Sequence, residues 1–157
     1  MINDQKAIFA CECGTNTFSV SGEPLLRAVC HCHFCQDFNQ ADFGDFLIYR
    51  KEQVTIDNDE ATAYRSYKKP EIVNRGSCMT CGKPVLEHLN APLFPKLIFV
   101  PTINHPGHAP LPEPSLQMFY HRHVRDAGEG IPRYSGYLRS EVHFMGRLVS
   151  ALCRTAK

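Results

Sequence analysis

Seven of the eight cysteines stand in three tight groups: Cys11 and Cys13, then Cys30, Cys32 and Cys35, then Cys78 and Cys81. Thiols two or three residues apart are too close for a disulfide framework, yet close enough to grip one metal ion from a single turn of backbone. Zinc is the first choice, because a d10 ion accepts thiolates at about 2.3 Å without redox chemistry or a strong geometric preference. Seven ligands divide into four plus three. Cys11, Cys13, Cys78 and Cys81 come as two pairs, each followed by a glycine (Gly14, Gly82) that lets the backbone turn around a sulfur and offer it N–H groups. Four thiolates close a tetrahedron, so these read as a structural zinc site. Cys30, Cys32 and Cys35 supply three ligands and leave one position for water or substrate, the usual arrangement at catalytic zinc. Such a soft site attracts a thiol in preference to a carboxylate and deprotonates it. Spacing alone leaves two competitors for this middle group: a second structural zinc completed by His33, or an iron–sulfur cluster.

Other candidates carry weaker signals. His31 lies between two ligands in an extended stretch, so its side chain is expected to point away from the metal, in a packing or supporting role. Cys153 falls on an apolar helical stripe and reads as a small buried hydrophobe. His121 and His123 share one face of an expected strand at i, i+2, a spacing open to a metal ligand or proton carrier, though isolated strand histidines are more often surface residues; His88, His105, His108 and His143 carry no spacing signal.

These residues must be positioned by short strands. Lys6 to Ala10 and Thr17 to Val20 predict a hairpin with Cys11, Cys13 and the turn residues Gly14, Thr15 and Asn16 at its bend. Leu25 to Val29 leads in extended form to Cys30. Cys32 to Asn39 then winds into a helical turn, because Phe34 and Phe38 recur at i, i+4. Further strands are expected at Phe46 to Tyr49, Val54 to Ile56, Ala63 to Tyr67, Ile72 to Arg75, Val85 to Leu89 and Leu97 to Val100. The third thiol group thus sits at a second hairpin tip. Pro106, Pro110, Pro112 and Pro114 mark a surface loop, Met118 to Val124 reads as a last strand, and Ala127 to Gly136 as irregular. Ser140 to Arg154 shows a helical stripe at Val142, Met145, Leu148, Val149 and Leu152, with Ser140 as N-cap. The pattern is mainly β, with short helices and a C-terminal helix.

At 157 residues and 43% hydrophobic, the chain suits one core, with a zinc-binding domain over 1–138 and a helical extension over 139–157 packed on it. The opening Met1 to Lys6 carries an acid where a secretory signal would carry basic residues, and no run reaches membrane-span length. A cytoplasmic protein with unpaired thiols is expected. The formal charge of +1 falls to −2 once seven thiols ionise onto two divalent ions, which argues against a nucleic-acid partner.

Taken together, C-x-C-G, then C-H-C-x-x-C-Q, then C-x-x-C-G resembles the glutathione-dependent formaldehyde-activating enzyme family, also called the centromere protein V family. The resemblance runs from about Phe9 to Tyr137 and takes in all seven cysteines with His31, Gln36, Gly14 and Gly82. It implies an antiparallel fold of the Mss4-like (β-tent) type, structural zinc on the outer four cysteines and catalytic zinc on Cys30, Cys32 and Cys35. The implied activity is that of a carbon–sulfur lyase joining glutathione to formaldehyde as S-hydroxymethylglutathione. Gln36 and His33 are the adjacent donors for the alkoxide that develops. The chain departs from the family in having no tryptophan near Phe119 to His123 and in carrying Gln117 where a histidine is common. A second hypothesis is a zinc-stabilised module that binds protein or nucleic acid without chemistry.

Overall fold

The computed structural model describes residues 6–156; the reading of Met1 to Gln5 and of Lys157 lies outside them. Ten strands, two α-helices and four single 3-10 turns make a mainly β fold. Strands β1 (Lys6–Ala10), β2 (Thr17–Ser21) and β5 (Val54–Ile56) form a small antiparallel sheet in the order β1-β2-β5. The large sheet contains β3 (Leu26–Cys30), β4 (Gly44–Arg50), β6 (Thr62–Ser66), β7 (Val73–Cys78), β8 (Pro84–Leu89), β9 (Leu97–Pro101) and β10 (Gln117–Met118). Its order is β10-β3-β4-β9-β8-β7-β6, antiparallel except where β10 runs parallel to β3. Helix α1 (His33–Asn39) joins β3 to β4, and α2 (Tyr137–Arg154) closes the fold.

Strand β9, at the centre of the large sheet, is buried throughout, and the alternation of side chains along it and β4 divides the core in two. Phe46, Ile48, Leu97 and Phe99 face α2, which lays Phe144, Leu148, Ala151 and Leu152 against them. Leu47, Tyr49, Ile98 and Val100 face the small sheet, meeting Phe9, Phe18 and Val20. Burying Phe144, Leu148 and Leu152 stabilises the docked helix by about 5–9 kcal/mol as an upper figure. The two thiol groups fall on opposite faces. Cys30 and Cys35 belong to the core layer under α2, whereas Cys11 and Cys78 belong to the layer under the small sheet.

The chain departs from sequence expectation near its end. Met118 to Val124 is not a strand: β10 stops at Met118, and Phe119 adopts a left-handed conformation (φ 53°) that turns the chain into a 3-10 turn over Tyr120–Arg122. There the backbone pairs elsewhere, Phe119 N donating to Ser140 Oγ and Tyr120 N to Tyr134 O. Helix α2 starts at Tyr137, so Ser140 is not its N-cap. Ser140 lies fully buried in the first turn, where its hydroxyl also donates to Tyr134 O at 3.0 Å. The early start was invisible because Tyr137 and Leu138 are exposed and break the apolar stripe. The buried face follows Phe144, Leu148, Ala151 and Leu152, leaving Val142, Val149 and Cys153 exposed; Cys153 is not a core residue.

Candidate metal centres

The outer group is assembled by two hairpin tips. Cys11 and Cys13 sit in the β1–β2 turn, Cys78 ends β7, and Cys81 lies in the turn before β8. Gly14 (φ 74°) and Gly82 (φ 71°) both take the left-handed conformation that favours glycine, and each donates its N–H to the first cysteine's carbonyl. Asn16, itself buried, ties the first tip to the start of β6, which pairs with β7 at Cys78: its backbone N donates to Cys11 Sγ at 3.3 Å, its amide to Ala61 O, and its Oδ1 accepts from Thr62 Oγ1 at 2.8 Å. The four sulfurs lie within 4.8 Å of one another, with Cys13 3.6 Å from Cys11 and 3.7 Å from Cys78. A tetrahedron of thiolates about 2.3 Å from one ion has edges of about 3.8 Å, so the donor set fits zinc. The nearby Thr15 hydroxyl holds the Cys13 thiol down at about 6.

The middle group is built where β3 hands over to α1. Cys30 is the last residue of β3, Cys32 precedes the first turn of α1, and Cys35 lies on its buried side. Gly44 pairs with Cys30 across the sheet, and a Cβ there would stand 3.0 Å from Cys35 Cβ and 2.8 Å from Asn39 Nδ2. The absence of a side chain at this position lets Cys35 approach the sheet. The three sulfurs also lie within 4.8 Å of one another. Hydrogen bonds from the Cys30 and Cys35 thiols pull the Cys32 thiol far down, while Cys30 and Cys35 are pushed well up by sharing protons with the others and by burial. Burial and mutual proximity thus oppose three thiolates side by side, and a divalent cation is what would let all three ionise. Both groups could therefore hold metal ions.

The middle group opens onto a cavity of ≈ 560 Å³, lined in part by Cys30, Cys32 and Cys35 and by none of the outer four. Arg75 and Glu87 line it too, Arg75 Nε standing 2.9 Å from Glu87 Oε2, and their side chains are 10% and 2% exposed. Tyr67 stacks over the guanidinium at 5.2 Å. Burial pushes the Glu87 carboxyl up to about 7, with Arg75 pulling the other way. Burial also disfavours charge on Arg75, but Glu87 and the neighbouring Cys35 more than offset it. This buried cation beside the thiols carried no sequence signal, because β-pairing of Arg75 with Glu87 is what brings it there.

His33 and Gln36 do not line the cavity. His33 is exposed, and the Gln36 amide donates to His31 O at 2.7 Å and Arg122 O at 3.0 Å, tying α1 to the segment after β10. His31 is fully buried and outside the metal-capable group, as its extended position implied. Its Nε2 lies 2.8 Å from Gln117 Oε1, whose amide donates to Asp126 Oδ1 at 2.7 Å; Asp126 in turn pairs with Arg133. Because Gln117 must present its oxygen to His31, the imidazole donates through Nε2, and burial keeps it neutral. His121 and His123 share no strand face: His121, whose Nδ1 accepts from Gly136 N, lines the cavity, and the His123 ring stacks on Tyr120 at 4.1 Å.

The family model for the glutathione-dependent formaldehyde-activating enzyme matches residues 6–122. The chain belongs to that family. The match includes all seven clustered cysteines and ends before α2. A crystal structure of a Rhodobacter sphaeroides protein superposes with a TM-score of 0.54 at 19% identity, over 83% of this chain and 100% of that one, which shows a shared fold. Comparison with curated proteins gives no match. No helix among the described residues is long and apolar enough to cross a membrane.

Proposed function

We propose that this family member is a zinc-dependent carbon–sulfur lyase that adds a thiol reversibly to an aldehyde, with glutathione and formaldehyde as the reference pair. The carrying observation is the asymmetry of the two thiol groups: four sulfurs packed between hairpin tips, three in the wall of a cavity. In this reading Cys11, Cys13, Cys78 and Cys81 hold a structural zinc, and Cys30, Cys32 and Cys35 hold a catalytic one. The catalytic zinc supplies a Lewis-acid position that favours the thiolate form of a substrate thiol.

The chain's own residues supply the rest. Arg75, kept charged and oriented by Glu87 and Tyr67, offsets the negative charge that three thiolates and a substrate thiolate bring together. Arg75 also lines the cavity, where His33 and Gln36 do not, which supports it as the donor to the aldehyde oxygen that gains charge as the carbon is attacked. Gln36 acts at one remove, holding α1 against the Arg122 segment of the cavity wall. Helix α2 forms one unit with the zinc-binding segment, since Tyr137, Glu141, Phe144 and Met145 complete that wall. A reducing cytoplasm would keep the thiols free for metal.

The test is elemental analysis of the purified chain combined with the rate of hemithioacetal equilibration from glutathione and formaldehyde. The expected result is about two zinc ions per chain and a catalysed rate that Cys32→Ser abolishes, with one zinc and the fold retained. A two-zinc protein that leaves the equilibration rate unchanged would instead favour a non-catalytic binding module.

A further inference from the structure

Formaldehyde has no substituent to bury, yet the cavity beside the three thiols is roughly twentyfold larger than the volume of a water molecule. It lies in the range of about 300–1,000 Å³ used for ligands of drug size. Its polar groups are unevenly placed. The exposed cations Lys68 and Arg122 stand at the rim, Lys68 Nζ lying 5.9 Å from the Tyr137 ring, where they suit the carboxylates of a thiol such as glutathione. Arg75 and Glu87 neutralise each other beside the sulfurs. His121 and Glu141 also line the cavity, Glu141 close enough to Lys68 to feel its charge. The larger share of the wall is apolar, chiefly Phe46, Leu89, Phe94, Phe99, Met118 and Phe144. Four lining residues, Tyr137, Glu141, Phe144 and Met145, come from α2, which begins after the family match ends at residue 122. The clustered cysteines thus lie inside the family match, and α2, outside it, closes one side of the chamber beside them.

We propose that this apolar chamber receives the substituent of the aldehyde, so that the preferred electrophile carries a medium-length alkyl or aryl group. The inference rests on the lyase reading and names its substrate class. In the step R–CHO + R′–SH → R′–S–CH(OH)–R, the carbon–sulfur bond forms as the carbonyl π pair moves onto oxygen. The proton lost by sulfur ends on that oxygen, and nothing is oxidised. The thiol's polar body remains at the cationic rim, and R is withdrawn from water against the aromatic wall.

The test uses the zinc-loaded full chain with glutathione and the straight-chain aldehydes from formaldehyde to hexanal. The chamber predicts that kcat/KM over the uncatalysed rate rises about fourfold per added methylene until the space is filled. Calorimetry with the unreactive 1-alkanols of the same lengths gives a readout independent of turnover: affinity should climb in parallel, with a negative heat-capacity change. Ala91→Trp in the β8–β9 loop and, separately, Leu89→Phe at the end of β8 should shorten the optimal chain in both measurements. Acceleration of formaldehyde with a flat or falling series overturns the chamber and leaves the lyase standing. Failure to accelerate the addition to any aldehyde overturns both.

Discussion

The two thiol groups are made of the same atoms and differ in what surrounds them. The outer four join hairpin tips of two sheets, with Asn16 and Thr62 already bonded across the junction, and they take no part in the cavity that the middle three line. The middle three sit at a strand-to-helix handover on the opposite face of the large sheet, with an ion pair and a hollow next to them. One contact bridges the two: Gln40, which ends α1 in a left-handed conformation, donates its amide to Gly82 O at 3.1 Å. A closed coordination shell suits a cross-link, and an incomplete one suits chemistry, so the difference predicts that damage to each group has different consequences.

The largest contrast should come from paired substitutions. Cys78→Ser removes a buried ligand that staples distant hairpins, and is expected to cost on the order of 5 kcal/mol, a Tm fall of roughly 10–20 °C by thermal denaturation. Cys32→Ser should lose the other zinc while Tm moves by only a few degrees. Equal destabilisation by the two would erase the division of labour. Next, Arg75→Met leaves Glu87 buried without its partner and should cost about 3–5 kcal/mol, whereas Arg75→Met with Glu87→Leu should recover most of that stability. Turnover should stay roughly 100-fold down in both, and recovery of turnover in the double variant would assign the pair to structure alone.

Gly44→Ala should act on one site only. Its Cβ would crowd Cys35 and Asn39, lowering middle-site zinc affinity about 10-fold or more in a chelator competition while the outer zinc is held unchanged. Loss of both ions together would show that the sites are not independent. The smallest effect concerns the Gln117–Asp126 support behind His31, which has no counterpart at the outer site. The Gln117 amide, followed by the Gly128 N–H and Tyr120, lowers Asp126 from 3.8 to about 2. A depressed carboxylate contributes stability above its unfolded pKa and loses it as pH falls through the folded value. The Tm difference between wild type and Asp126→Asn should therefore be present near pH 5 and close toward pH 2; a difference independent of pH would rule out the carboxylate charge as its source.

Much of this molecule was legible before any fold. Strand alternation located β1, β2, β5, β8 and β9 almost to the residue, and glycine after each outer pair anticipated the left-handed turns at Gly14 and Gly82. Where periodicity failed, longer-range bonding had decided. Phe119 turns out of β10 because Ser140 and Tyr134 claim the backbone there, and α2 begins early because its first turn is held by those same bonds rather than by apolar burial. Cys153 misled because a stripe drawn by eye was a turn-fraction away from the face that docks.

By itself the sequence determined the ligands, since metal-capable spacing is local: three thiols within six residues converge whatever the rest of the chain does. Tertiary structure alone decided what stands beside them. The Arg75–Glu87 pair depends on strand register, and the apolar chamber depends on α2 crossing the sheet far from Cys30 in the chain. Contacts between residues distant in sequence leave no spacing to read, and those contacts set which substrate the three thiols meet.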